Sequence, residues 1–435
     1  MKNILKQYIY QTGHGKGLAK AEIEALASHP GAIVDEVEDG FVVEDSLAAP
    51  RADLRRMGGI VRITEVLQSG PENMPLNFEQ WTAQALQSEF KSYKGKMRFG
   101  LSMHPKNEKV LKSILIGAKK AVKDLGNVRF VNKDFQNLSS VQAWHEHLLE
   151  PGAVELHLFK SETKWYLSRT LAIQDFEFYS HRDYDRPAKD AKNGLFPPKL
   201  AQILINIANP APGTPVFDPF CGSGTVLQEA WLMDHPAYGS DLEAAIVQDA
   251  ENNLRWFQEE APKFKAQLEG FPTLLVKDAT ELTARDLPTE PFTIVSETTL
   301  GPRLTKPLTP DERAKVYFEL ETLYLAFFKN LKSVLPFPVT MVFTAPYHRE
   351  GNLRHFLPTL PEILATYATI LPMSEHERPS LFYERKDQMV SREIWKLRFA
   401  IGNQVRYTPS AFSQWHRPSR SECLRPHPYS PVAQW

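Results

Sequence analysis

The stretch Asp218-Pro219-Phe220-Cys221-Gly222-Ser223-Gly224-Thr225 constrains the fold of this chain more than any other. The apolar run Pro215-Val216-Phe217 before it reads as a short strand, and Val226-Leu227-Gln228-Glu229-Ala230-Trp231-Leu232 after it has helical spacing. Strand, glycine turn and helix in that order belong to an α/β sheet covered by helices. Glycines let the backbone come close to a ligand, and the free N–H groups of the helix N-terminus suit a carboxylate. Asp218, at the strand end, suits a cationic amine. The methionine end of S-adenosylmethionine carries both groups.

The spacing downstream extends this pocket. Ala237-Tyr238-Gly239-Ser240-Asp241 reads as a second strand ending in an acid, placed where such folds set a carboxylate on ribose hydroxyls. Thr273-Leu274-Leu275-Val276 reads as a third strand, followed by Lys277-Asp278-Ala279. Any one of these acids alone reads as a cap or turn residue. Three of them, each just past a successive strand, read as a ligand site outside the carboxyl ends of a parallel sheet.

Asp-Pro-Phe-Cys-Gly-Ser-Gly-Thr resembles the first cofactor motif of the amino-directed class I methyltransferases, above all the RNA branch that carries a THUMP domain. The connector 174–184, Arg186-Pro187 and Gly194-Leu195-Phe196-Pro197-Pro198-Lys199-Leu200-Ala201 resemble the stretch before that motif in archaeal and eukaryotic tRNA guanosine amino-methyltransferases. The resemblance spans roughly residues 90–400 and is most specific over 182–241. It implies a Rossmann-like catalytic domain that binds S-adenosylmethionine through Asp218, Phe220, Gly222, Ser223, Gly224, Asp241 and Asp278, with Asp278 on the adenine amine.

The fourth strand, Phe292–Ser296, departs from the family pattern. Where the family has Asp-Pro-Pro-Tyr-Gly, this chain reads Glu297-Thr298-Thr299-Leu300-Gly301. In that motif the acid and a backbone carbonyl accept hydrogen bonds from the target amine, the prolines fix the backbone, and the aromatic ring stacks on a flipped base. Glu297, Thr298 and Leu300 are the corresponding catalytic candidates. Glu297 keeps the carboxylate on a longer arm, both prolines are gone, and Leu300 has no π-system. Three outcomes stay open: altered but active chemistry, a different target base, or lost activity.

At 435 residues the chain has room for two to three domains. Two cysteines argue against a disulfide framework and suit a reducing cytoplasm. No cysteine–histidine spacing suggests a metal, and no apolar run reaches membrane-spanning length. Net charge is −1, but it is unevenly spread. Residues 1–75 hold 8 Lys/Arg against 11 Asp/Glu, and residues 86–135 hold 12 against 4. Much of the excess falls on a helix expected over Asn107–Asp124. There Leu111, Ile114, Ala118, Ala121 and Val122 form the expected buried face, and Lys109, Lys112, Lys119, Lys120 and Lys123 face outward. Arg98, Arg129 and Lys133 would extend this patch, which suits RNA phosphates.

Residues 1–75 alternate as β-α-β-β-α-β, a ferredoxin-like order, with the second helix expected over Arg51–Arg56. Residues 76–176 form a second α/β unit that resembles a THUMP domain, with a helix expected over Leu138–Leu149. Residues 177–402 are the expected methyltransferase domain, and 403–435, with five prolines, an expected poorly ordered tail. The reading is a cytoplasmic, S-adenosylmethionine-dependent tRNA methyltransferase acting on a guanosine amine. Some eukaryotic members of that family need a small activator subunit, which makes such a subunit a candidate partner; whether this chain needs one stays open. The competing readings are an RNA-binding protein that keeps the cofactor pocket without the activity, and a DNA amino-methyltransferase.

Overall fold

The computed structural model describes residues 6–13, 15–27, 29–45, 54–73, 77–188, 196–374, 378–385 and 388–400. The expected tail at 403–435 lies outside them, as do Gly194-Leu195, the first residues of the expected strand at Ile4, and residues 51–53 of the expected second helix. The chain divides into two compact units, 1–176 and 177–435.

The first unit is one eight-stranded sheet. Its strands are β1 (Lys6–Thr12), β2 (Ile33–Val37), β3 (Gly40–Asp45), β4 (Ile60–Pro71), β5 (Met97–His104), β6 (Val128–Phe130), β7 (Ala153–Lys160) and β8 (Lys164–Ile173), ordered β2-β3-β1-β4-β8-β7-β5-β6. The first four pair antiparallel in the ferredoxin-like order. β4 then pairs with β8 from Arg62–Ile173 to Pro71–Lys164, so residues 1–75 and 76–176 share a single sheet. The expected helix over Arg51–Arg56 is, in its described part, one 3-10 turn at Leu54–Arg56.

Helix α1 (Lys16–Leu26) buries Leu18, Ala19 and Ile23. Helix α2 (Phe78–Phe90), absent from the sequence reading, is capped by Asn77 and buries Trp81, Leu86 and Phe90. Helix α3 (Glu108–Ala121) is the basic helix, capped by Asn107. Its buried face is Leu111, Ile114, Leu115 and Ala118, with Val122 buried just beyond. Ala121 is exposed, because Leu115 rather than position 121 falls in line with that stripe. Helix α4 (Ser140–His145) starts on a Ser139–Gln142 capping box. It is shorter than expected because His147 takes a left-handed φ of 53° and breaks the ladder.

The far end of the sheet turns back on its middle. Val37 bridges Ser161, Tyr166 donates to Asp35 Oδ2 at 2.6 Å, and His104 Nδ1 meets Asp39 Oδ2 at 2.7 Å. The curl encloses an ion pair, Arg62 Nη2 to Glu155 Oε1 at 3.1 Å. Burial alone would raise the Glu155 carboxyl, but Arg62 and His157 outweigh it and hold it near 2.

The second unit opens with helix α5 (Phe176–Tyr184), where the sequence reads as a connector, and α6 (Pro198–Ala208). It then alternates strand and helix: β9 (Val216–Asp218), α7 (Thr225–Leu232), β10 (Ala237–Asp241), α8 (Ala244–Glu260), β11 (Thr273–Val276), β12 (Thr293–Glu297), α9 (Pro310–Val334), β13 (Val339–Glu350), β14 (Leu353–His355), α10 (Leu360–Tyr367), β15 (Thr369–Ile370), β16 (Leu381–Tyr383) and β17 (Val390–Phe399). The sheet runs β11-β10-β9-β12-β13-β17-β15, parallel from β11 to β13 with β17 reversed. This three-two-one-four-five-seven-six order is the Rossmann-like class I methyltransferase sheet expected from the sequence. Phe217, Ile294, Met341, Phe343, Trp395 and Leu397 from the strands pack against Phe327, Phe328 and Leu331 of α9. Parallel pairing brings the carboxyl ends of β9, β10, β11 and β12 to one edge.

Candidate active site

Asp218 ends β9 and is fully buried. It accepts from Phe220 N at 3.0 Å and from Ser296 Oγ at 2.6 Å, both on Oδ1. Burial, reinforced by the Asp241 and Glu297 carboxylates, pushes its pKa up to about 8 against these two bonds. Among the described residues no cationic side chain acts on this carboxyl. Cys221, inside the turn, is buried, and burial pushes its thiol well up, so it is a packing residue and not a nucleophile.

Gly222 and Gly224 take φ of 51° and 87°, the left-handed region that favours glycine. Cys221 N donates to Ser240 O at 2.9 Å, tying the turn to β10. Asp241, ending β10, accepts from Gly222 N at 3.1 Å and Glu243 N at 3.2 Å. Asp278 caps a 3-10 turn after β11, accepting Thr280 N and Oγ1 at 2.7 Å each. Between these acids stand two unusually bare apolar residues, Leu242 at 65% exposure and Val276 at 54%. Of the two other expected cofactor residues, Ser223 gives its carbonyl to Asn253, and Phe220 turns its ring into the core against Phe327, centroids 5.1 Å apart.

The altered fourth motif is held by side chains where the family uses proline rings. The Thr298 hydroxyl is buried, donates to Thr344 O at 2.6 Å and meets Tyr324 OH at 2.7 Å, and Tyr324 OH also reaches Thr299 O at 3.3 Å. Thr298 thus faces the interior as a positioning residue, and any contact it makes in the cleft is through its backbone. Leu300 is half-buried and Thr299 exposed. Glu297, at the end of β12, pairs with Arg392 Nε of β17.

The sequence reading gave no role to several residues that brace this edge. Arg182 of α5 donates from Nε and Nη2 to Glu229 Oε1 and Oε2 at 2.8 and 3.1 Å, joined there by Gln202 and Gln228. Arg186 Nη1 donates to Thr225 Oγ1 at 2.6 Å, at the first residue of α7; its Nε and Nη2 are buried without partners among the described residues. Asn253 of α8 clasps both the N–H and carbonyl of Ala188 and the Ser223 carbonyl. Arg182 and Arg186 stand in the quoted connector and Glu229 in the helix after the turn, so position pointed at them; nothing in the pattern singles out Asn253.

On the first unit, Lys109, Lys112, Lys119, Lys120 and Lys123 are all exposed. Among the described residues none of the five pairs with a carboxylate. Lys112 and Lys119 lie over the Phe135 and Phe130 rings at 5.0 and 5.7 Å.

Residues 186–344 match the model of a family described as RMKL-like, methyltransferase domain. A second model, described as DNA methylase, matches 49–252. Among curated proteins the chain is similar to the tRNA (guanine(10)-N2)-dimethyltransferase of Methanothermobacter thermautotrophicus, 33% identical over 95 residues, covering 22% of this chain and 28% of that protein. It is also similar to the enzyme of the same name from Pyrococcus abyssi, 25% identical over 218 residues, covering 49% and 58%. The chain thus spans less than two thirds of the length of these relatives. Among solved structures, TrmN from Thermus thermophilus is 17% identical with a TM-score of 0.49, covering 91% of this chain and 99% of that one. No described helix is long and apolar enough to cross a membrane.

Asp241→Ala is expected to weaken S-adenosylmethionine binding by roughly 1–3 kcal/mol, since it removes the acceptor expected for the ribose and strips Gly222 N and Glu243 N of theirs. Calorimetry at fixed pH measures it; unchanged affinity would mean that β10 does not carry the ribose carboxylate.

Proposed function

We propose that this protein is an S-adenosylmethionine-dependent RNA methyltransferase acting on an exocyclic nucleobase amine, with a guanosine of tRNA as the expected target. The observation that carries the reading is the set of four acids, Asp218, Asp241, Asp278 and Glu297, at the ends of neighbouring parallel strands around one glycine turn.

The residues present fit the cofactor. Asp218, raised by burial, gains from an ammonium group beside it. Arg186, with two unpartnered donors at the first turn of α7, suits the carboxylate. Leu242 and Val276 supply an apolar bed for a purine ring, with Asp278 near its amine. When bound, the cofactor supplies a sulfonium methyl group; its transfer to the amine nitrogen leaves a neutral thioether, and the nitrogen then loses one proton to water. Glu297 holds the amine as hydrogen-bond acceptor, so that the nitrogen lone pair faces the methyl.

The RNA assignment draws on the unpaired lysines of α3 and on the names of the similar tRNA enzymes. In this reading residues 177–402 are the catalytic domain, residues 76–176 are a THUMP-like RNA-binding module on the ferredoxin-like segment 1–75, and the protein works in the cytoplasm, with a small activator subunit as a further partner. The observation that favours the lapsed-enzyme alternative is that Arg392 already engages the Glu297 carboxylate.

The deciding experiment incubates the full chain with labelled S-adenosylmethionine and separate pools of tRNA, rRNA and duplex DNA, and identifies the modified nucleoside by mass spectrometry. Label in a tRNA guanosine is the expected result. Label in DNA alone makes the protein a DNA methylase, and cofactor binding without label in any pool supports the lapsed enzyme.

For the basic helix, replacing Lys112, Lys119 and Lys123 together by Glu is expected to weaken tRNA binding at least about tenfold at low salt and to flatten its salt dependence. Cofactor affinity stays unchanged. If affinity and salt slope both hold, the lysines are only a solvated face.

A further inference from the structure

Arg392 is nearly buried, at 4% exposure, yet only part of its guanidinium is occupied. Its Nε donates to Glu297 Oε1. Among the described residues Nη1 and Nη2 have no hydrogen-bond partner, and neither is among the atoms sealed from solvent. The plane is flanked by aromatic rings, Phe196 with its centroid 5.7 Å away and Tyr383 at 5.8 Å. An arginine fork fixed this way has lost most of its rotamer freedom before any ligand arrives.

Strand register explains why the acid is glutamate. Glu297 of β12 is level with Thr344 of β13, while Arg392 of β17 is level with Pro346, two residues further along β13. The two Cα positions are therefore separated by two strand spacings, about 9–10 Å, and an offset along the strand. An aspartate would fall short by roughly 1.5 Å, one carbon–carbon bond. The longer acid and the arginine thus form one device, in the same cleft where Leu300 removes the stacking ring.

We propose that Arg392 is the specificity-determining residue of this site. Its free Nη donors read a ring-nitrogen acceptor of the nucleobase whose amine Glu297 holds, and Tyr383 and Phe196 flank the fork. An amine and a neighbouring acceptor on one base edge match a carboxylate beside a guanidinium, donor to acceptor and acceptor to donor. The ligand class is an amino-bearing nucleobase with an acceptor atom on its ring edge. This inference rests on the proposed amine methylation and deepens it.

The test compares wild type, Arg392→Gln and Arg392→Lys on tRNA transcripts made with guanosine, 3-deazaguanosine or 7-deazaguanosine, with cofactor affinity measured alongside. On guanosine transcripts, Arg392→Gln is expected to lose about 10- to 100-fold in kcat/KM at unchanged cofactor affinity, and Arg392→Lys to recover little of it, because it keeps the charge and loses the fork. The decisive readout is the base analogue. One deaza transcript should be about tenfold or more worse for wild type and no worse than guanosine for Arg392→Gln. If both proteins respond alike to both deaza transcripts, Arg392 is a structural partner of Glu297 and the proposal falls. A wild type that methylates no pool overturns the activity reading instead. The inference is then read by saturation-transfer NMR of guanosine monophosphate, with a signal expected in wild type and absent in Arg392→Gln; equal signals overturn it.

Discussion

Glu297→Gln is expected to lower turnover by about 100-fold or more while both ligands stay bound. The substitution keeps length and shape but removes the negative charge, and with it the acceptor proposed for the target amine as that nitrogen becomes positive in the transition state. Loss confined to kcat, with KM for RNA within a few-fold of wild type, is the signature. The neutral amide also releases the nearly buried Arg392 from its ion pair, so the thermal midpoint is measured beside turnover to separate a loss of fold from a loss of chemistry. A variant that retains full turnover would show that Glu297 serves only to anchor Arg392. The complementary change, Thr298→Pro with Thr299→Pro and Leu300→Tyr, should slow an enzyme tuned to its own geometry, because it removes the Thr298 hydroxyl that binds Thr344 O and Tyr324 OH. Activity gained by that triple change in an otherwise silent protein would favour the lapsed enzyme.

Asp218→Asn is expected to have opposite effects on binding and stability. In the free protein the Asp218 pKa is raised from 3.8 to about 8, so the folded chain holds its proton more tightly than the unfolded chain. The cost of ionising this buried acid is absent below about pH 4, grows as pH rises, and is complete above about pH 8. Asparagine escapes it while still accepting from Phe220 N and Ser296 Oγ. The thermal midpoint of the variant should therefore exceed that of wild type by an amount that increases between pH 5 and pH 8.5. Cofactor affinity should fall about 10- to 100-fold, since the proposed charge-assisted bond to the ammonium is lost. Wild type should release a proton on binding at pH 7, seen as a buffer-dependent calorimetric enthalpy, and the variant should release none. A stability difference that does not vary with pH would mean that Asp218 is ionised without its ligand.

The turn at 218–225 and its three following acids were legible because the constraint is local: strand, glycine and helix each leave a mark within a few residues. The sheet order followed from that alternation. The bracing of the site was not legible in the same way. Arg182–Glu229 and Glu297–Arg392 join positions 47 and 95 residues apart, and no periodicity links such pairs. Only the Asn77 cap marks helix α2 locally, and the mixed polar composition of α5 gives no clean apolar stripe, so its sequence reads as a connector. The shortening of α4 depended on one left-handed histidine, which the pattern of the surrounding residues does not announce. Leu115, not Ala121, completes the buried face of α3, since position 121 lies one step too far around the helix.

The shared ladder of β4 and β8 has a consequence for anyone wishing to borrow the front of this protein. A cut at residue 76 would strip β8 of its neighbour from Arg62 to Pro71 and leave Glu155 without the guanidinium that neutralises it. What remained would present a long naked edge, ready to join the same edge of another chain. Residues 1–75 are thus the other half of the fabric into which the basic helix is sewn, and the smallest transplantable piece runs to Phe176.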